Sequence, residues 1–511
     1  MASDAHPSPR PIRNRGMVSG CIILAVVMQA LDTTIANVAL PYMQGSVAAS
    51  ADQINWVLTS YIVAAAIMTP PSGFLALRFG RKRMLLVSIA GFVLASVLCG
   101  AAQTLTQIVC FRLIQGVFGA FLGPITQSIL LDIYTVEERG RAMAMFGMAI
   151  MVGPILGPVV GGWITDHVSW RWVFYINVPV GMLALAGVSA FVAETKRDAA
   201  ASLDWLGFGA LSIAIGALQM LLDRGEEMNW FASAEIVAES IISASAFYIF
   251  LIHTATAKRP FVDPALFRDR NFVAGMIFIF IIGAILLASL SLMSPFLQTL
   301  MGYPVVTAGL VMGPRGVGTM LCMIVVGRLI GRIDTRWLLL TGLVITAWAL
   351  YGMSGWSPDV SQEAIVMVGF VQGLGLGLLF VPLTTVAFAT LPASQRTEAS
   401  GFYNLSRNIG SSVGISVCSA MLTNNTQINH AEISAYVTPF NQAFSTPGIG
   451  EALDPTSPSG RAMLDALVTQ QSTIISFMDD YRMLMLLTLA AIPLLLMLRR
   501  SARQSSPPRS T

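Results

Sequence analysis

Apolar residues in this chain do not alternate with polar ones. They come in long runs, each broken by a charge, a proline or a glycine. A helix that crosses a hydrocarbon core roughly 30 Å thick needs about 20 such residues, and about fourteen runs approach that length. The first eight run from Met17 to Leu40, Ile54 to Ala76, Met84 to Ala102, Ile108 to Leu131, Ala142 to Thr165, Val173 to Ala193, Trp205 to Leu222 and Ile236 to Thr254. After a basic break six more follow: Phe272 to Leu297, Ala308 to Ile330, Leu338 to Gly355, Ala364 to Leu391, Ala399 to Leu422 and Ile474 to Leu498. The first turn of the last run carries Asp479, Asp480 and Arg482. Strands of a membrane barrel would show as ten-residue windows of alternating polarity. Continuous runs of this length instead predict an all-α polytopic membrane protein.

Composition leads to the same place. A chain of 511 residues that is 55% hydrophobic and 11% charged, with a mean hydropathy of +0.70, cannot cover itself with the polar surface of a water-soluble globule. Its basic residues follow the rule that Lys- and Arg-rich connections stay on the cytoplasmic side. With the N-terminus inside, Arg10, Arg13, Arg15, Arg78, Arg81, Lys82, Arg83, Arg139, Arg141, Lys196 and Arg197 fall in cytoplasmic connections of the first half. Lys258, Arg259, Arg268, Arg270, Arg328, Arg332, Arg336, Arg396, Arg499, Arg500, Arg503 and Arg509 do so in the second. Only Arg171, Arg224, Arg461 and Arg482 fall outside, so an even number of spans and two cytoplasmic termini are expected.

The net charge of +3 is dispersed over many loops, which makes it an orientation signal and not a nucleic-acid footprint. The first run is too long for a secretory signal and lacks a small-residue cleavage pattern, so it is expected to stay as a span. The five cysteines have no paired spacing and read as free thiols. No P-loop, metal-ligand cluster or Ser/His/Asp grouping appears, which disfavours an enzyme and implies no cofactor.

The two halves repeat. Gly73-Phe-Leu-Ala-Leu-Arg78 closes the second span and Gly327-Arg-Leu-Ile-Gly-Arg332 the tenth, 254 residues later. Gln115-Gly116 matches Gln372-Gly373, Arg139 matches Arg396, Gly153 matches Gly410 and Gly157 matches Gly414, each 257 residues apart. Two blocks at nearly one offset, in equivalent places of the span order, predict two six-helix bundles with spans seven and eight inserted between them. The expected divisions are a tail at 1–16, a first bundle at 17–193, the two-helix insertion at 194–270, a second bundle at 271–498 with an external loop at 423–473, and a tail at 499–511.

Several stretches carry a family resemblance. Gly73-Phe-Leu-Ala-Leu-Arg-Phe-Gly-Arg-Lys82 resembles the loop motif between helices two and three of the major facilitator superfamily. Arg112-Leu-Ile-Gln-Gly116 resembles its fourth-helix motif, and Gly153-Pro-Ile-Leu-Gly-Pro-Val-Val-Gly-Gly162 the fifth-helix motif of its antiporters. Leu31-Asp-Thr-Thr-Ile-Ala-Asn-Val-Ala-Leu-Pro41, Trp170-Arg-Trp-Val-Phe-Tyr-Ile-Asn-Val-Pro179, Leu222-Asp-Arg-Gly225 and Pro382-Leu-Thr-Thr385 are similar to the fourteen-span drug:proton antiporters, particularly the EmrB type. The loop motif usually has an acid where this chain has Leu77. The resemblance implies a major facilitator fold in a bacterial inner membrane and proton-coupled efflux of lipophilic compounds by alternating access. It also implies a periplasmic adaptor of the EmrA type with an outer-membrane channel, for which the external loop is the expected docking surface. A dedicated transporter of one metabolite with the same fold is the alternative.

Individual residues can then be weighed. A carboxylate well inside a spanning helix costs a few kcal/mol unless it faces protein or water, which singles out Asp32 for proton coupling. Arg112, at matching depth on span four, is its expected partner, either in coupling or in a static pair. Asn37, one to two turns from Asp32, is expected on the same face, and Gln115 and Gln372 are assigned to the substrate cavity with it. Arg407 is read as the third intramembrane charge, in a polar stripe with Ser400, Asn404, Ser411 and Gly414 that either lines the cavity or packs helices closely. Gating is assigned to Gly73, Arg78, Gly80 and Arg81, with Asp132 either a latch for Arg81 or its partner in an ordinary solvated pair, and to Gly153, Pro154, Gly157 and Pro158, whose helix cannot complete its backbone bonds. The 27 Met and 26 Phe suit a flexible apolar cavity, or equally a lipid-facing surface.

Overall fold

A computed structural model describes residues 14–135, 137–195, 197–198, 202–438, 441, 453–454 and 456–498. Most of the two tails, with Arg10, Arg13, Arg499, Arg500, Arg503 and Arg509, lies outside the described residues, as do Lys196 and part of the 423–473 segment.

Every named element among the described residues is helical, and the apolar runs account for most of them. The first half comprises α1 (Arg15–Ser46), α2 (Ala51–Ile54), α3 (Trp56–Met68), α4 (Ser72–Phe79), α5 (Arg81–Ala101), α6 (Leu105–Gly119), α7 (Leu122–Ile133), α8 (Arg139–His167), α9 (Trp172–Tyr175) and α10 (Asn177–Phe191). The inserted pair is α11 (Trp205–Arg224) and α12 (Ala234–Thr256). The second half comprises α13 (Arg270–Pro295), α14 (Val305–Leu329), α15 (Thr335–Met353), α16 (Gln362–Ala387), α17 (Arg396–Ser434) and α18 (Pro458–Ala490).

Twelve helices are long and apolar enough to cross a membrane, and the pair α3 and α4 makes a thirteenth. That pair is bent by 61° where Pro70 and Pro71 interrupt the second span, because proline has no amide hydrogen and disfavours helix in the residue before it. α17 is long enough but too polar to be recognised as a span by hydropathy.

The halves pack alike. α1 lies against α8 and α10, and α3 against α6; in the second half α13 lies against α17, and α14 against α16. The halves meet where α8 runs along α14, and again where α17 reaches α4 and α7. Small residues make the first seam close: a Cβ added to Gly147 would sit 2.8 Å from Met323 Sδ, and one on Gly316 would sit 1.9 Å from Ile155 Cγ1. The inserted α11 touches both halves, packing on α3 and α17, and Gln219 Nε2 donates to Ser412 Oγ at 2.7 Å.

The 423–473 segment differs from the loop expected there. α17 continues to Ser434, and α18 starts at Pro458 and not near Ile474. Proline in the first turn and the Ser457 hydroxyl accepting from the Gly460 amide start α18 early. The two polar extensions support each other through His430 Nε2 and Asp465 Oδ1 at 3.0 Å and through Asn429 Nδ2 donating to Ser476 Oγ at 3.2 Å. Asp480, expected in a first turn, therefore lies far along α18 and is fully buried.

Candidate functional site

α1 and α6 bring Asp32 and Arg112 together with neither side chain exposed. Arg112 Nη1 donates to Asp32 Oδ2 at 2.6 Å. The other carboxylate oxygen accepts from Gln115 Nε2 at 2.8 Å and from Asn177 Nδ2 at 2.7 Å. Gln115 Oε1 turns back to accept from Arg112 Nη1 at 2.8 Å, and Arg112 Nε donates to the Val57 carbonyl at 3.1 Å. The guanidinium lies 4.4 Å from the centre of the Tyr61 ring, and Asn177 donates further to Ser96 Oγ at 2.9 Å. Arg112 Nη2 has no partner. Five helices thus converge on one carboxylate whose two oxygens are already held by three donors.

The second half carries the same arrangement without the acid. Ser289 on α13 lies 257 residues after Asp32, and Gln372 Nε2 reaches its Oγ at 3.4 Å as Gln115 reaches Asp32. Arg315 on α14, absent from the expected charges, occupies this cluster. It is 5% exposed and donates through Nη2 to Ser289 Oγ at 2.8 Å and to the Leu286 carbonyl at 3.1 Å. Arg407 is therefore not the third intramembrane charge but one of a larger set that also includes Asp480. Arg407 remains partly exposed and donates to Asn408 Oδ1 at 3.3 Å.

The expected stripe around Arg407 divides. Asn404 Nδ2 donates to Gln127 Oε1 of the first half at 2.8 Å, whereas Ser411 donates to the Gly283 carbonyl at 3.2 Å and Gly414 packs on Ala284. Asn37 does not share the face of Asp32: it is exposed while Asp32 is buried. Five helical residues are about 140° apart around the axis, which explains the separation.

At the basic end of the molecule Asp132 joins the halves. It pairs with Arg81 of its own half, and its Oδ1 accepts from Arg396 Nη1 of α17 at 2.5 Å. Gly73 presses on the same helix, where a Cβ would lie 2.6 Å from Glu398 Cα. Gly80 starts α5 at a φ of 91°, a left-handed conformation that favours glycine. Arg78 is exposed beside Phe79. Glu398, ahead of the span predicted from Ala399, is pushed up to about 7 by burial, with Asp263 adding to the shift and the Asp263 amide opposing it. In α8, Pro154 and Pro158 lack amide hydrogens, while Gly153 and Gly157 let the helix cross α1 so closely that Thr34 Oγ1 donates to the Gly153 carbonyl at 3.0 Å.

The sequence pattern of the Major Facilitator Superfamily matches residues 22–415. The chain belongs to that superfamily. Among its relatives, the fatty acid resistance protein FarB of Neisseria gonorrhoeae is 36% identical over 424 residues, covering 82% of this chain and 83% of FarB. The multidrug export protein EmrB of Escherichia coli is 34% identical over 456 residues, covering 89% of each chain. The human organic anion transporter MFSD10 matches in fold, with a TM-score of 0.63 at 14% identity over 94% of this chain and 99% of its own. A bacterial homologue of the lysosomal transporter Spinster, in an inward-facing conformation, matches with a TM-score of 0.56 at 17% identity over 97% and 100%. The protein is an integral membrane member of this transporter family.

The superfamily loop motif is met here in an altered form. Leu77, at the position usually held by an acid, is exposed, and its carbonyl accepts from the Asp198 amide at 3.0 Å. The acid that links the halves is Asp132. Gln127, Asn177, Arg315 and Arg396 were not singled out as site residues by the sequence reading. Arg315 is legible as a charge inside an apolar run; Asn177, near the start of the sixth run, becomes notable only because folding brings it to Asp32.

Proposed function

We propose that this protein exports lipophilic compounds across a bacterial inner membrane in exchange for protons, by alternating access between two six-helix bundles with fourteen spans in all. α17 is the thirteenth of these in chain order and α18 the fourteenth, and the basic end faces the cytoplasm with both termini. The observation that carries the reading is the buried Asp32 carboxylate, held by Arg112, Gln115 and Asn177. Removing Arg112 from such a carboxylate leaves a buried charge unbalanced, and a proton neutralises it. When the bundles rock and water reaches the site from one side, the proton and the guanidinium exchange places on Asp32. Asp132 bridging Arg81 and Arg396 holds the cytoplasmic side closed in the conformation seen here. The names of FarB and EmrB support a toxic or lipophilic cargo.

α17 is 39 residues long, about 58 Å at 1.5 Å per residue, so with α18 it extends well beyond a hydrocarbon core of about 30 Å. Exposed Ile428, Tyr436, Met463 and Leu467 on this hairpin form the surface proposed to dock an EmrA-type adaptor leading to an outer-membrane channel. The deciding experiment measures efflux of a lipophilic dye from proteoliposomes under an imposed pH gradient. The parent accelerates with the gradient and Asp32→Asn does not; full gradient-driven efflux by the variant would leave Asp32 as a static packing pair.

A further inference from the structure

A groove of about 800 Å³ separates the inserted α11–α12 pair from α13 and α17. α12 makes its main helix contact with α11. Its other flank, including Phe247 and Leu251, both about half exposed, faces the groove opposite Met276, Phe280 and Ile409. The walls are apolar despite three serines, because each hydroxyl is turned onto a main-chain carbonyl. Ser240 donates to Ile236 at 2.8 Å, Ser243 to Ala214 at 2.9 Å and Ser406 to Met276 at 2.9 Å. From Ser240 to Ala255 the groove runs about 22 Å along α12, more than the roughly 15 Å depth of one hydrocarbon leaflet.

Its basic end differs from the rest. Thr254, in the last turn of α12, is the one hydroxyl lining the groove with no partner. Lys258 follows four residues later, and Arg268 adjoins the groove residue Phe267. Both cations are exposed, and among the described residues neither forms an ion pair. An apolar slot this large, left empty, forfeits dispersion contacts along both walls, and in a bilayer the available filler is an acyl chain.

We propose that the groove binds one anionic phospholipid of the cytoplasmic leaflet, its acyl chain between α12 and the second bundle and its headgroup at Lys258 and Arg268. The lipid completes the packing of α12 and attaches the insertion to the moving half. This assignment rests on the membrane orientation proposed above and is independent of proton coupling.

The test uses delipidated full-length protein in detergent, with phosphatidylglycerol or phosphatidylcholine added back and followed by native mass spectrometry and heat denaturation. The parent is expected to retain phosphatidylglycerol with a roughly tenfold preference and to melt at a higher temperature with it. The double variant Lys258→Gln/Arg268→Gln is expected to lose the preference while still taking up both lipids. Ala244→Phe, at an exposed position of the groove wall, is expected to bind neither. Equal retention of the two lipids by the parent, or undiminished phosphatidylglycerol on Ala244→Phe, overturns the proposal. Stoichiometric displacement of the lipid by a transported dye also overturns it, making the groove a substrate path. Loss of dye efflux in Asp32→Asn with lipid binding intact separates this result from the coupling reading.

Discussion

Asp32 and Ser289 occupy equivalent positions 257 residues apart, and each receives the side-chain amide of an equivalently placed glutamine. The repeat has kept the amide donor and changed the acceptor, so the first half holds a carboxylate and the second a hydroxyl. Each half also brings an arginine to its acceptor, Arg112 from α6 and Arg315 from α14. At this pair of equivalent positions, the proposed proton exchange has a carboxylate to act on in the first half only.

From this asymmetry, Ser289→Ala is expected to preserve the dependence of efflux on the pH gradient and to lower thermal stability, since Arg315 loses a buried acceptor worth about 1–3 kcal/mol. Efflux and melting measurements on the same preparation check both parts. Loss of gradient dependence would place coupling in the second half as well.

Arg112→Ala leaves Asp32 buried without its cation, which costs about 3–5 kcal/mol if the carboxylate stays charged. Pairing it with Asp32→Asn removes that charge and is expected to recover much of the loss. A double-variant cycle of unfolding measurements reads the coupling; additive effects would mean that the ion pair contributes nothing to stability.

Asp132 holds Arg81 of its own half and Arg396 of the other, so Asp132→Asn weakens its ion pair across the halves and releases Arg81 as well. The population open on the basic side is expected to rise. Spin labels placed on α4 and α17 should show a longer distance in the variant, and an unchanged distance distribution would remove Asp132 from closure.

Glu398 has its pKa raised to about 7 from an ordinary 4.5 by burial, so folding favours its neutral form. Its contribution is fully favourable below about pH 4.5 and is lost as pH rises through 7. Between pH 5 and 8 the parent is expected to melt progressively lower, and Glu398→Gln to flatten that slope. An equal slope in both proteins would exclude Glu398 as its source.

At the crossing of α1 and α8, a Cβ on Gly153 would meet the Ala30 carbonyl oxygen at 2.3 Å, whereas one on Gly157 would meet the Thr34 hydroxyl at 2.1 Å. Rotating the hydroxyl away does not relieve the second clash, because that Cβ would also lie 2.6 Å from Thr34 Cβ, which the main chain fixes. Gly153→Ala and Gly157→Ala are therefore each expected to cost about 1–3 kcal/mol, as read from melting temperatures.

The sequence alone determined the helical membrane class, and it pointed to a two-bundle repeat and to Asp32 as a candidate, because bilayer thickness and the cost of a charge in lipid act on each residue where it stands. It also reached the pair Asp32 with Arg112 from matched depth on antiparallel helices, and Arg81 with Asp132 from their shared place at the cytoplasmic ends of the spans. Tertiary structure decided everything that depends on rotation about a helix or on convergence from distant segments. Asn37 turns away from Asp32, while Asn177, separated from it by 145 residues, donates to it. Arg396 joins Asp132 from the other half, and 423–434 and 458–473 are helical, with side chains of the two stretches bonded to each other. Hydropathy is blind to partners, and each of these outcomes is fixed by one.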